Sequence, residues 1–195
     1  MRYLFLLISA TLLTQAGLAQ QTAEEFYQSA QDKLQAGDTK GAIAACNQAL
    51  ALNPYYAEAY NARGVLKYLA NDYAGALACY NQAIRFNPSD AKAYYNRGLV
   101  HTQLEAFDEA MLDFTQAIRL NSDDEEAYLA RGLVKGALED WAGEIQDYTQ
   151  AIHIKADYRE AYLNRSLAYA ELNDQQAAMA DSTKANELKE ASAVH

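Results

Sequence analysis

The feature that most limits what this chain can fold into is a 34-residue period. The stretch Ala57–Asp90 opens Ala57-Glu58-Ala59-Tyr60-Asn61-Ala62-Arg63-Gly64, runs with helical spacing to Ala70 and turns at Asn71-Asp72. A second helical run passes through Ala76, Tyr80, Ala83 and Ile84 to Asn87-Pro88-Ser89-Asp90. Shifted by 34 it lands on residues 91–124, 125–158 and 159–192, and shifted back on 23–56. Five copies without insertion fill 23–192. A fixed period of this length means an array whose units each bury a face against the next.

Numbering each unit from its own first residue, position 4 is Phe26, Tyr60, Tyr94, Tyr128, Tyr162, and position 8 is Ala30, Gly64, Gly98, Gly132, Ser166. Position 20 is Ala42, Ala76, Ala110, Glu144, Ala178, and position 27 is alanine throughout: Ala49, Ala83, Ala117, Ala151, Ala185. Position 24 carries Cys46, Tyr80, Phe114, Tyr148, Ser182. Small residues let two helices approach closely, the aromatics fill between turns, and Pro54 and Pro88 cannot continue a helix. The pattern resembles the tetratricopeptide repeat (TPR) family over 23–192. The resemblance implies an all-α fold: a right-handed α-solenoid of five helix-turn-helix repeats forming a single domain, 23–56, 57–90, 91–124, 125–158 and 159–192. Polar Ser182 and Asn186 stand at positions that would face a sixth unit, so the array is expected to end with a solvated cap over Gln175–Glu190.

Ahead of the array, Met1-Arg2, the apolar run Tyr3–Leu13 and the small residues Gly17 and Ala19 read as a signal peptide over 1–19, cleaved after Ala19. The apolar run is short for a bilayer span, so an exported protein without a membrane segment is expected. Phrases such as Asn96-Arg97-Gly98 and Asp147–Ile152 look like repeats of bacterial, particularly cyanobacterial, proteins; the implied compartment is periplasmic or extracellular, or a thylakoid lumen. Cys46 and Cys79 fall on equivalent helices of adjacent units. Such helices lie about 8–10 Å apart, against the ~7 Å between Cα atoms that a disulfide spans, so two unbridged thiols are the expectation. The formal net charge of −10 repels phosphate backbones and anionic lipid, so nucleic acid is not the expected partner.

In the resembled family the first helices line a concave surface through positions 2, 5, 6, 9, 12 and 13, which share one stripe of a helix. Here those positions supply a candidate peptide-binding groove: Tyr27, Gln31, Asn61, Val65, Tyr68, Lys92, Tyr95, Asn96, Leu99, Leu129, Leu133, Leu163, Asn164 and Leu167. Position 2 adds an acidic edge, Glu24, Glu58, Glu126 and Glu160, interrupted by Lys92. An apolar strip beside an acidic edge suits a basic amphipathic helix or an extended apolar peptide. Two other readings stay open: a second copy covers the strip, giving a homodimer instead of a monomer, or the leucines are plain packing. The clamp that one branch of the family uses for chaperone C-termini is present only in fragments, Asn96, Asn164 and Lys92, with valine or leucine where asparagine belongs at position 9 of units two to five.

A second column runs Arg63, Arg97, Arg131, Arg165 at position 7, with Asp113, Asp147 and Asp181 at position 23. It is either an ion ladder between helices or a cationic strip for an acidic ligand. Three scattered histidines, no i, i+4 ligand pair and no glycine-rich phosphate loop leave no expectation of catalysis, metal or cofactor. The sequence therefore points to a non-enzymatic scaffold for a protein or peptide partner in an exported or envelope assembly, or to a self-associating structural protein.

Overall fold

The computed structural model describes residues 22–192; the leader and its cleavage point lie outside the described residues. Ten helices and no strands make up the described residues, in five hairpins. They are α1 Ala23–Gln35 with α2 Thr39–Leu52, α3 Ala57–Leu69 with α4 Tyr73–Phe86, and α5 Ala91–Gln103 with α6 Phe107–Leu120. Then come α7 Glu125–Ala137 with α8 Trp141–Ile154, and α9 Arg159–Glu171 with α10 Gln175–Ser192. Each hairpin packs on itself and on its neighbours in sequence, so the architecture is an all-α solenoid.

The turn inside each hairpin is set by one residue. Position 15 is left-handed in all five units: Gly37 (φ 78°), Asn71 (59°), Glu105 (58°), Glu139 (62°) and Asn173 (62°). That residue lets the next backbone N–H fold back onto the helix just ended, as in Asp72 N to Lys67 O at 2.9 Å and Asp140 N to Lys135 O at 2.9 Å. The second helix then starts on an aspartate cap. Asp38, Asp72 and Asp140 accept from the N–H groups of Gly41, Gly75 and Gly143 at 2.9, 2.9 and 3.0 Å. Unit three has Ala106 at the cap position and makes no such bond.

Inside each hairpin, position 8 is matched to position 24. A Cβ on Gly64, Gly98 or Gly132 would stand 2.5, 2.7 or 2.6 Å from the buried ring of Tyr80, Phe114 or Tyr148, so a full aromatic ring demands glycine opposite. Unit one pairs Ala30 with Cys46 and unit five pairs Ser166 with Ser182, where a smaller side chain leaves room for a Cβ. Alanines at positions 3 and 27 (Ala59, Ala93, Ala127, Ala161; Ala49, Ala83, Ala117, Ala151, Ala185) are fully buried and set the close approach of helices. Cys46 and Cys79 are free and buried.

Unit four breaks the small-residue rule at position 20. Glu144 is buried there, in the space that Gly136 leaves by lacking a side chain. Tyr148 donates to Glu144 Oε1 at 2.8 Å, while Oε2 has no hydrogen-bond partner. Burial therefore pushes the Glu144 carboxyl above the usual carboxylate range.

Candidate functional site: the face of the first helices

The face made by α1, α3, α5, α7 and α9 is held in register by the arginine column. Arg97 donates from Nε and Nη2 to Asp113 at 2.9 and 2.6 Å, Arg131 to Asp147 at 2.9 and 2.7 Å, and Arg165 to Asp181 at 2.7 and 2.9 Å. The third guanidinium nitrogen reaches into the preceding unit: Arg97 Nη1 to Asn81 at 2.7 Å, Arg131 to Thr115 at 3.2 Å, Arg165 to Thr149 at 2.9 Å. Each arginine also lies over the position-4 tyrosine of its own helix at 5.6–5.7 Å. One side chain thus joins three helices, and its hydrogen bonds to the buried aspartate raise the pKa of all three arginines. These three guanidinium charges are already matched, which makes the column an ion ladder and not a strip for an acidic ligand. In unit two the carboxylate is missing: Arg63 Nε meets Cys79 Sγ at 3.3 Å and Nη1 bonds Asn47 at 2.8 Å.

Beside the ladder, the residues expected in the groove divide by burial. Tyr27 takes a hydrogen bond from Gln31 at 3.1 Å and packs on Tyr56 at 5.2 Å. Val65 and Tyr68 lean on the core around Tyr80, and Asn96 donates to Asn61 at 3.1 Å, tying α5 to α3. Leu163 and Asn164 are half-buried, and Lys92 is exposed. Leu99 packs with Tyr95 against Phe114, and Leu129 is only 7% exposed. Leu133 and Leu167 are the open leucines, 45% and 65% exposed.

Four of these residues, Tyr95, Leu99, Leu129 and Leu133, meet at one cavity of about 310 Å³ spanning units three to five. Of its lining, Leu129 and Ala130 are buried, and the exposed Glu126 and Glu160 stand at its rim. Tyr158 completes the lining. It sits in the linker before α9, outside the helix stripe, and the sequence reading passed over it. The signal that could have found it is Tyr56, another aromatic directly before a first helix, which packs on Tyr27 in the same way. Burial first, then the nearby carboxylates of Glu126, Asp124 and Glu160, push the Tyr95 phenol up to about 12. Tyr158 is raised by burial, then by Glu160 and Glu126. Tyr27 and Tyr56 are likewise raised by burial first and then by Glu58, or by Glu24 and Glu58. The face is most apolar and acidic at units three to five, and Lys92 interrupts its acidic edge.

Three family models described as tetratricopeptide repeat match residues 27–91, 69–135 and 160–192, together taking in well over half of the chain. The chain belongs to the tetratricopeptide repeat family. A search of curated proteins finds no match. Among solved structures, the crystal structure of MamA is similar with TM-score 0.80 and 26% identity, over 85% of this chain and 97% of that one. YrrB, described as a TPR protein with an unusual peptide-binding site, matches with TM-score 0.73 and 20% identity over 91% of each chain. PilF of Pseudomonas aeruginosa matches with TM-score 0.78 and 17% identity, over 85% of this chain and 75% of that one. Membership of this family supports a protein-interaction scaffold. No helix among the described residues is long and apolar enough to cross a membrane.

Proposed function

We propose that this TPR protein is a non-enzymatic scaffold that holds a peptide or an amphipathic helix along the face of its first helices, in the assembly of an exported or envelope complex. The observation that carries the reading is the cavity at units three to five, where buried leucine and exposed leucine adjoin two carboxylates. A segment with an apolar stripe and a basic edge is complementary to that surface in shape and charge. The exported setting rests on the leader, and the mature protein is expected to begin at Gln20. Family membership supports the non-enzymatic part.

The test compares capture of partners by the mature protein with capture by a Leu133→Glu, Leu167→Glu variant and by a Leu112→Glu control on α6, a helix of the other layer. Loss of a specific partner in the first variant alone supports the proposal. Equal capture by all three proteins removes the first-helix face as the docking surface. Light scattering of the wild type covers the remaining arrangement: an obligate dimer that is broken by the first variant would mean a second copy occupies this face.

A further inference from the structure

The cavity has a chemistry narrower than a generic groove. Its rim carboxylates, Glu126 and Glu160, make no side-chain hydrogen bond or ion pair with any of the described residues. The cation of the linker, Lys155, is already committed: it reaches Glu125 at 3.4 Å and sits 4.9 Å over the ring of Tyr158. None of the residues lining the cavity is basic. Two carboxylates therefore concentrate negative potential over an aliphatic floor, in a chain of net charge −10 that draws cations from a distance. At about 310 Å³ the space stands at the low end of the ~300–1,000 Å³ typical of ligand sites, room for a long side chain and little more.

Resting on the groove reading above, we propose that this cavity takes the lysine or arginine side chain of the bound segment. Its methylenes lie on Leu129 and Leu133, its cationic head lies between Glu126 and Glu160, and Tyr95 and Tyr158 flank the stem. An apolar anchor would fill the floor and leave both carboxylates facing a dry contact without a partner, which a buried charge does not tolerate well. A long basic side chain satisfies both halves, because its stem is apolar and only its tip is charged. The phenols, raised by burial first and then by the nearby carboxylates, stay neutral throughout the physiological range and add aromatic contact to the cation.

The probe is a random 12-residue peptide library displayed against the immobilised mature protein. The same selection is run on Glu126→Gln, Glu160→Gln and on Leu133→Glu, Leu167→Glu, each checked for unchanged helicity. On the wild type, enriched peptides are expected to share one lysine or arginine at a fixed spacing from apolar residues. Replacing that residue by norleucine in a resynthesised peptide should weaken binding about tenfold on the wild type and less than twofold on the glutamine variant. Enriched peptides without a shared basic position overturn the assignment of the cavity, as does an equal norleucine loss on both proteins. In those cases the groove reading still stands, provided the leucine variant loses the peptides. If the wild type enriches no more than the leucine variant, the groove reading itself fails and the basic-anchor proposal fails with it.

Discussion

The ladder can be tested most sharply at Arg131 and Asp147. The Asp147 side chain is 2% exposed and receives two bonds from Arg131, at 2.9 and 2.7 Å, and one contact from Lys135 at 2.8 Å. Stripping one partner from a buried pair costs about 3–5 kcal/mol. In Arg131→Met the long stem still covers Tyr128 and Lys135 still serves Asp147, so the cost should fall to about 2 kcal/mol. Asp147→Ala leaves Arg131 and Lys135 side by side without their carboxylate and should cost about 3–4 kcal/mol. With both changed, no charge waits for the missing member of the Arg131–Asp147 pair. The double variant should therefore lose at least about 1.5 kcal/mol less than the sum of the single losses. Urea unfolding followed by circular dichroism measures all four proteins, with hydrogen exchange on α7 and α8 to show that the loss is local to unit four. Losses that add to within about 0.5 kcal/mol would refute direct pairing.

Unit two offers the converse experiment. Cys79→Asp restores the carboxylate that Arg63 lacks and should stabilise the protein by about 1 kcal/mol; a lower unfolding midpoint would show that desolvating the new charge wins. Glu139 holds φ 62°, so Glu139→Gly should raise stability by about 1 kcal/mol in thermal or urea unfolding, and an unchanged or lowered midpoint would contradict the backbone argument. Because Glu144 titrates above its unfolded value, its favourable contribution is complete below the unfolded pKa and is lost as pH rises through the folded one. Wild type should therefore gain stability relative to Glu144→Gln on acidification from pH 7 to pH 4, and a pH-independent difference between the two would remove that assignment.

Much of the fold is legible in the sequence because it is written five times. Alanine at position 27 and the arginine–aspartate spacing of 16 residues repeat often enough to reveal helices that must approach closely and carry matched charges. What repetition hides is the difference between units. Leu129 and Leu133 lie one helical turn apart on the same stripe, yet Leu129 is largely covered and Leu133 is open, because the fit of the neighbouring unit, and not the stripe, decides how much of each leucine water reaches. Tyr158 lines the cavity from a linker, where helical spacing gives no guide. Left-handed Glu105 and Glu139 contradict residue preference, which favours glycine or asparagine there; the surrounding hairpin imposes the conformation. The outer reach of the ladder, to Asn47, Asn81, Thr115 and Thr149, carries no charge and so left no pattern to notice.

The most direct test of a first-helix docking face uses a photo-crosslinking amino acid placed singly at Leu133 on α7 or at Leu112 on α6, in cells that make the protein. Leu112 is the more exposed of the two, 73% against 45%, so a collision with bulk protein would favour it. The structure leads to a discrete cross-linked partner from Leu133 and none from Leu112. The opposite pattern, or a Leu133 product containing only a second copy of this chain, would contradict it.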